Sequence, residues 1–172
     1  VERRRLYGEE HPDIAVSLRK LGWVLFERQL LDSAERVLRV AVPMSRRVHG
    51  ERHPETAEAL SDLAVVMQAR GNRAESEQLH LAALEAQRGV AGQELPLAST
   101  LNNLAWLAEN RGDLDSAMAL FREALELKRR FGADVQSLSN GLVALATVGS
   151  RAGQATQADS AAREALRRRR AA

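Results

Sequence analysis

The sequence predicts an all-α fold, an α-solenoid of about four helix hairpins, and three observations carry that prediction. Aromatic residues make up only 3% of the 172 residues while apolar residues, largely Ala and Leu, reach 45%, a composition that favours thin, closely packed helices over a sheet. An internal repeat is present: His11-Pro12 recurs as His53-Pro54, and Leu95-Pro96 follows at the same spacing of 42. Two further markers share the frame. Leu21-Gly22, Leu63-Ala64, Leu104-Ala105 and Leu145-Ala146 are separated by 42, 41 and 41 residues, as are Ala41-Val42, Ala83-Leu84, Ala124-Leu125 and Ala165-Leu166. A fixed period of this length reads as a stacked helical repeat.

Taken in order, residues 1–8 read as the tail of a preceding helix, because Arg4-Arg5-Leu6-Tyr7-Gly8 repeats the pattern of Arg46-Arg47-Val48-His49-Gly50. The chain is therefore expected to be a segment of something longer. Units follow at 9–50, 51–92, 93–132 and 133–172, the last including a C-terminal cap. Gln29, Gly71, Gly112 and Gly153 break each unit into two apolar halves, which makes each a hairpin. In the third unit Leu101, Leu104, Leu107, then Leu114, Ala117, Phe121 and Leu125 fall at helical spacings, whereas a strand would alternate. Pro12, Pro54 and Pro96 suit a first helical turn, which has no use for their missing N–H, and Asp13 and Glu55 favour the dipole there. Gly50, Gly92 and Gly132 suit the preceding C-termini, as does Gly8.

These residues, Tyr7-Gly8 through His11-Pro12, then Leu18, Leu21, Ala34 and Ala41, resemble the tetratricopeptide repeat in its longer, kinesin-light-chain-like variant, over nearly the whole chain. The resemblance implies small residues where paired helices approach most closely: Gly22, Ala64, Ala105 and Ala146 on the first helices, Ala34, Ser76, Ala117 and Ala158 on the second. Departures are Gln29 in place of the turn Gly, Arg73 where an apolar residue usually packs, and an Ala-rich fourth unit. Stacked hairpins of this kind form a right-handed superhelix with first helices along a concave groove.

The function implied is a non-catalytic module holding a protein or peptide, within a larger signalling or regulatory protein; a spacer or self-association scaffold is the alternative. Mapping the family's inward-facing positions gives Val16, Arg19, Trp23 and Phe26, then Glu58, Ser61, Val65 and Gln68, then Ser99, Asn102, Trp106 and Glu109, then Asn140, Val143, Thr147 and Ser150. Trp23 and Trp106 hold equivalent places, and Trp is enriched among binding hot spots, though it also plugs gaps between helices. Lys20, Asn103 and Arg151 join Arg19 and Asn102 as donors for a peptide backbone or carboxylate.

Other classes are disfavoured. A net charge of +2 gives no electrostatic case for nucleic acid, and no apolar stretch approaches the length of a membrane span. Residues 167–170 are all Arg, which suits a solvated helix C-terminus. No Gly-rich phosphate loop, Cys nucleophile or assembled Ser, His and acid set is present, so neither catalysis nor a cofactor is expected. His49 and His53 lie four apart but across an expected loop that would not align them on a metal, and His80 has no ligand partner at metal-binding spacing. The cytoplasm is the favoured compartment, although a cysteine-free helical array suits an oxidising one equally. Homo-oligomers would form through the terminal helices.

Overall fold

The computed structural model describes residues 11–171, which form eight α-helices and no strand: α1 (Pro12–Glu27), α2 (Leu31–His49), α3 (Pro54–Ala69), α4 (Arg73–Gln87), α5 (Glu94–Asn110), α6 (Leu114–Arg130), α7 (Val135–Arg151) and α8 (Ala155–Ala171). The expected helix tail at 1–8 lies outside the described residues.

Local chemistry starts these helices where the repeat requires. Pro12 and Pro54 occupy the first helical position, and the His before each caps the helix: Nδ1 of His11 accepts from the Asp13 amide at 3.1 Å, and Nδ1 of His53 from the Glu55 amide at 3.2 Å. The paired His residues are thus helix caps, whose acceptor satisfies an otherwise orphaned backbone donor. Asn72, Asp113 and Asp134 do the same for α4, α6 and α7 through the amides of Glu75, Ser116 and Ser137. Pro96 is the third residue of α5, still within its first turn. Gly71, Gly112 and Gly153 close the hairpins at φ of 81°, 82° and 72°, and Gln29 adopts φ 62° at the equivalent place, a left-handed conformation that costs a non-glycine residue roughly 1–2 kcal/mol. One helix end differs from expectation: α4 stops at Gln87, five residues short of Gly92, so a longer turn leads into α5.

The residues fall into two units divided between Val90 and Ala91. In the first, α1 packs on α2, α2 on α3, α3 on α4, and the first helices α1 and α3 also touch. Its core joins Ala34, Leu38 and Val42 to Leu60, Leu63, Val66, Met67 and Ala83. In the second, α5 packs on α6, α6 on α7 and α7 on α8. Ala105, Ala108, Ala117, Met118, Phe121, Ala144 and Val148 form one cluster there, and Leu125, Leu138, Leu142, Ala161 and Ala165 another.

Small residues do set the closest approaches. Ala34, Ala64, Ser76, Ala105 and Ala117 are wholly buried, and a Cβ added to Gly22 would stand 2.5 Å from Leu38 Cγ. The fourth hairpin departs from the frame. Ala146 is only half-buried, and the helices meet instead where Gly149 faces Ala158, with 3.5 Å between an added Cβ and the Ala158 Cβ. Arg73 is exposed at the first position of α4, whereas Leu31 and Leu114 at the equivalent places are half-buried.

Candidate functional site

Within the first unit, the first helices α1 and α3 carry Arg19, Lys20, Trp23, Phe26, Glu58, Ser61, Val65 and Gln68. Arg19 is drawn inward and taken up internally: its guanidinium pairs with Glu58 at 2.6 Å, Asp62 at 3.3 Å and Glu55 at 3.4 Å, and only 15% of its side chain is exposed. It ties α1 to α3 and is not a free donor for a peptide carboxylate. Burial is the main force on Asp62, pushing its pKa up to about 6 against the pull of Arg19, with Glu58 and Glu55 adding to the rise. The sequence reading missed this because Glu55 and Asp62 sit at frame positions outside the expected groove.

Trp23 stands partly exposed with its indole N–H donating to Glu27 at 3.0 Å and its ring tilted against Phe26 at 5.2 Å. Phe26 in turn packs on the core. Lys20 and Gln68 are exposed, whereas Val65 and Ser61 are half-buried.

The second unit assembles more. Asn102 and Trp106 of α5, Phe121 and Lys128 of α6, and Asn140, Gly141, Val143, Ala144 and Thr147 of α7 line one open groove of about 420 Å³. Five residues named from sequence, Asn102, Trp106, Asn140, Val143 and Thr147, therefore line one groove. Trp106 meets Phe121 edge to face at 5.3 Å yet leaves 41% of itself exposed, so one edge is fixed by the core and the remainder is offered to the groove. Asn140 Oδ1 accepts from Gln136 at 2.9 Å and Arg169 at 3.4 Å, which leaves its amide nitrogen as the donating end. The Thr147 hydroxyl donates to the Val143 carbonyl at 2.9 Å.

Five residues named from sequence on α5 and α7, Ser99, Asn103, Glu109, Ser150 and Arg151, stay out of that groove. Asn103 is half-buried elsewhere on α5. Glu109 is buried and bound to Arg151, so this pair links α5 to α7 as Arg19 links α1 to α3. Lys128 was missed altogether, because a second-helix residue has no place among inward-facing first-helix positions.

The His pair is drawn into contact. The loop brings His49 and His53 together, rings stacked 4.6 Å apart, and burial followed by the neighbouring His53 holds the His49 pKa below its ordinary value. No cluster of three metal-ligating side chains occurs among the described residues. No helix is long and apolar enough to cross a membrane among them either.

Two sequence profiles, each described as tetratricopeptide repeat, match residues 14–55 and 55–130, together well over half of the chain. The chain belongs to the tetratricopeptide repeat family. Solved structures share the fold of this tetratricopeptide array. BtubC (BKLC) from P. vanneervenii superposes with a TM-score of 0.90 at 23% identity, covering 99% of this chain and 69% of that one. A candidate kinesin light chain of Podosopora anserina, with nearly identical TPR-like repeats, gives 0.77 at 17%, covering 98% and 81%. MamA gives 0.69 at 14%, covering 92% and 80%. No curated protein sequence matches. The tetratricopeptide family supplies scaffolds typical of protein–protein interaction, and this chain is such a scaffold.

Proposed function

We propose that this tetratricopeptide array is a non-catalytic module that holds a peptide segment of a partner protein along the concave face of its first helices. The observation that carries this reading is the groove of the second unit, where Trp106 presents a rigid, partly exposed ring beside the amides of Asn102 and Asn140. An extended peptide has unpaired backbone donors and acceptors, which amides satisfy, and apolar side chains, which an indole face covers. Trp23 occupies the equivalent place in the first unit and offers a similar partly exposed ring.

The test is capture of a capped hexapeptide library by the immobilised chain, compared with the Trp106→Ala variant. Loss of a central Trp is expected to weaken retained peptides by about 30-fold, the equivalent of a 2 kcal/mol hot spot. Helical circular dichroism should persist in the variant. Equal capture by both proteins would sink the reading, and a chain that takes up no peptide yet dimerises by light scattering would establish the scaffold alternative.

A further inference from the structure

Lys128 lies in the last turn of α6 and is 7% exposed, yet it belongs to the lining of the groove. Lysine seldom occupies such a site without an acidic partner, because desolvating an ammonium is costly unless it is paired. Among the described residues no carboxylate forms an ion pair with it. Asp134 is the acid whose field reaches it, and that carboxylate is committed to capping α7 through the Ser137 amide at 2.8 Å.

The backbone opposite comes close to this side chain. Gly141 stands across from it, and a Cβ there would come 4.0 Å from Lys128 Nζ. In the repeat frame Gly141 corresponds to Ala59 and Thr100, and Lys128 to the buried Ser45 and Gln87. One position has thus become cationic where the facing one has lost its side chain. The polar groups are also graded in depth: Lys128 is buried, Asn102 half-buried and Asn140 exposed.

Resting on the peptide-binding reading, we propose that Lys128 is the floor of a subsite for one acidic side chain. A Glu or Asp of an extended peptide lowers its carboxylate onto the ammonium while Asn102 and Asn140 hold the peptide backbone at the rim. The depth ordering selects a side-chain carboxylate over a C-terminal one. A terminal carboxylate travels at the level of the backbone, where the amides are, and would have to draw the main chain down past Trp106. Burial lowers the pKa of Lys128, and an arriving carboxylate opposes that shift, so the pair forms with the ammonium charged.

The experiment uses the full chain and a positional-scanning library of capped hexapeptides, then three synthetic probes built on the best sequence: one with a central Glu, its Gln twin, and the Gln twin with a free C-terminal carboxylate. The variant is Lys128→Gln, the side chain that the repeat already accommodates, buried, at Gln87. Expected is acidic enrichment at one library position, and Glu-probe affinity about tenfold or more above the Gln twin. That preference should vanish in Lys128→Gln while affinity for the Gln twin stays within about twofold. Capture without acidic preference, or a preference that survives Lys128→Gln, overturns the subsite and leaves peptide binding standing. Preference for the free C-terminus alone overturns it too, and no capture of any peptide overturns both. Should the variant lose its helical spectrum, the chemical shift of the Lys128 ε-methylene in the native chain decides: a shift with the Glu probe and none with the Gln twin supports the subsite, and equal shifts overturn it.

Discussion

At the scale of single residues, His80 is the most consequential side chain outside the groove. It is wholly buried on α4, at the frame position held by Leu38 and Phe121 in neighbouring hairpins, and neither ring nitrogen has a hydrogen-bond partner. Burial lowers its pKa to about 4. The unfolded chain takes up the proton near its ordinary value of about 6.5, so between that pH and 4 the unfolded state binds more protons and stability falls as pH falls. Below 4 both states are protonated and the loss is complete, on the order of 3 kcal/mol from a shift of this size. His80→Leu is therefore expected to flatten the decline of urea midpoint between pH 7 and 4, and to stabilise the chain at neutral pH by removing unsatisfied polar atoms. An unaltered pH profile would show that His80 finds a partner in solution. The sequence marked His80 as lacking a ligand partner but said nothing of its depth, because a single polar residue in an apolar stripe is as compatible with a rotated helix as with a buried ring.

Among the helices, the close approach of α5 and α6 rests on Ala117, wholly buried against Ala105 and Ala108 beside Phe121. Ala117→Leu inserts three carbons where no space exists and should cost about 1–3 kcal/mol, lowering the melting temperature by several degrees. An unchanged melting curve would mean that α5 and α6 pair through other residues. The hairpins themselves were legible in the sequence: turn Gly, capping residue, Pro and apolar stripe all agree at one period, and agreement between levels is what makes a repeat readable. The exceptions have local causes. The last hairpin makes its close contact at Gly149 and Ala158, since an Ala-rich helix offers several equally small surfaces and the frame cannot choose among them. α2 continues through Pro43, which stands on an exposed face where water can take the place of its missing amide. Asn102, Trp106, Asn140, Val143 and Thr147, named from the repeat frame, line one groove. The ion pairs of Arg19 and of Glu109 with Arg151 were not legible because the partners lie 36 to 43 residues away in sequence, a distance that only folding closes.

For the molecule as a whole, the pattern of contacts is sequential: α8 packs on α7, α7 on α6, and each unit holds its own apolar clusters. Stability in such a chain is a sum of neighbouring interfaces. Deleting residues 152–172 is expected to speed hydrogen exchange throughout α7 while leaving the amides of α1 to α3 unchanged, as read by mass spectrometry of peptic fragments; faster exchange in α1 would reveal coupling that sequential packing does not provide. A chain of four similar hairpins faces a further hazard, since a first helix emerging from synthesis could dock on the second helix of the wrong repeat. The contact of Gly22 with Leu38 bears on that hazard. Ala64 and Ala105 carry the very methyl that would crowd Leu38, so α3 or α5 in the seat of α1 on α2 would force Leu38 to shift. Sliding α1 by one turn would crowd Leu38 further, because it would bring Leu18 or Phe26 to that point. A missing methyl group thereby gives the first hairpin an address that its sister repeats lack.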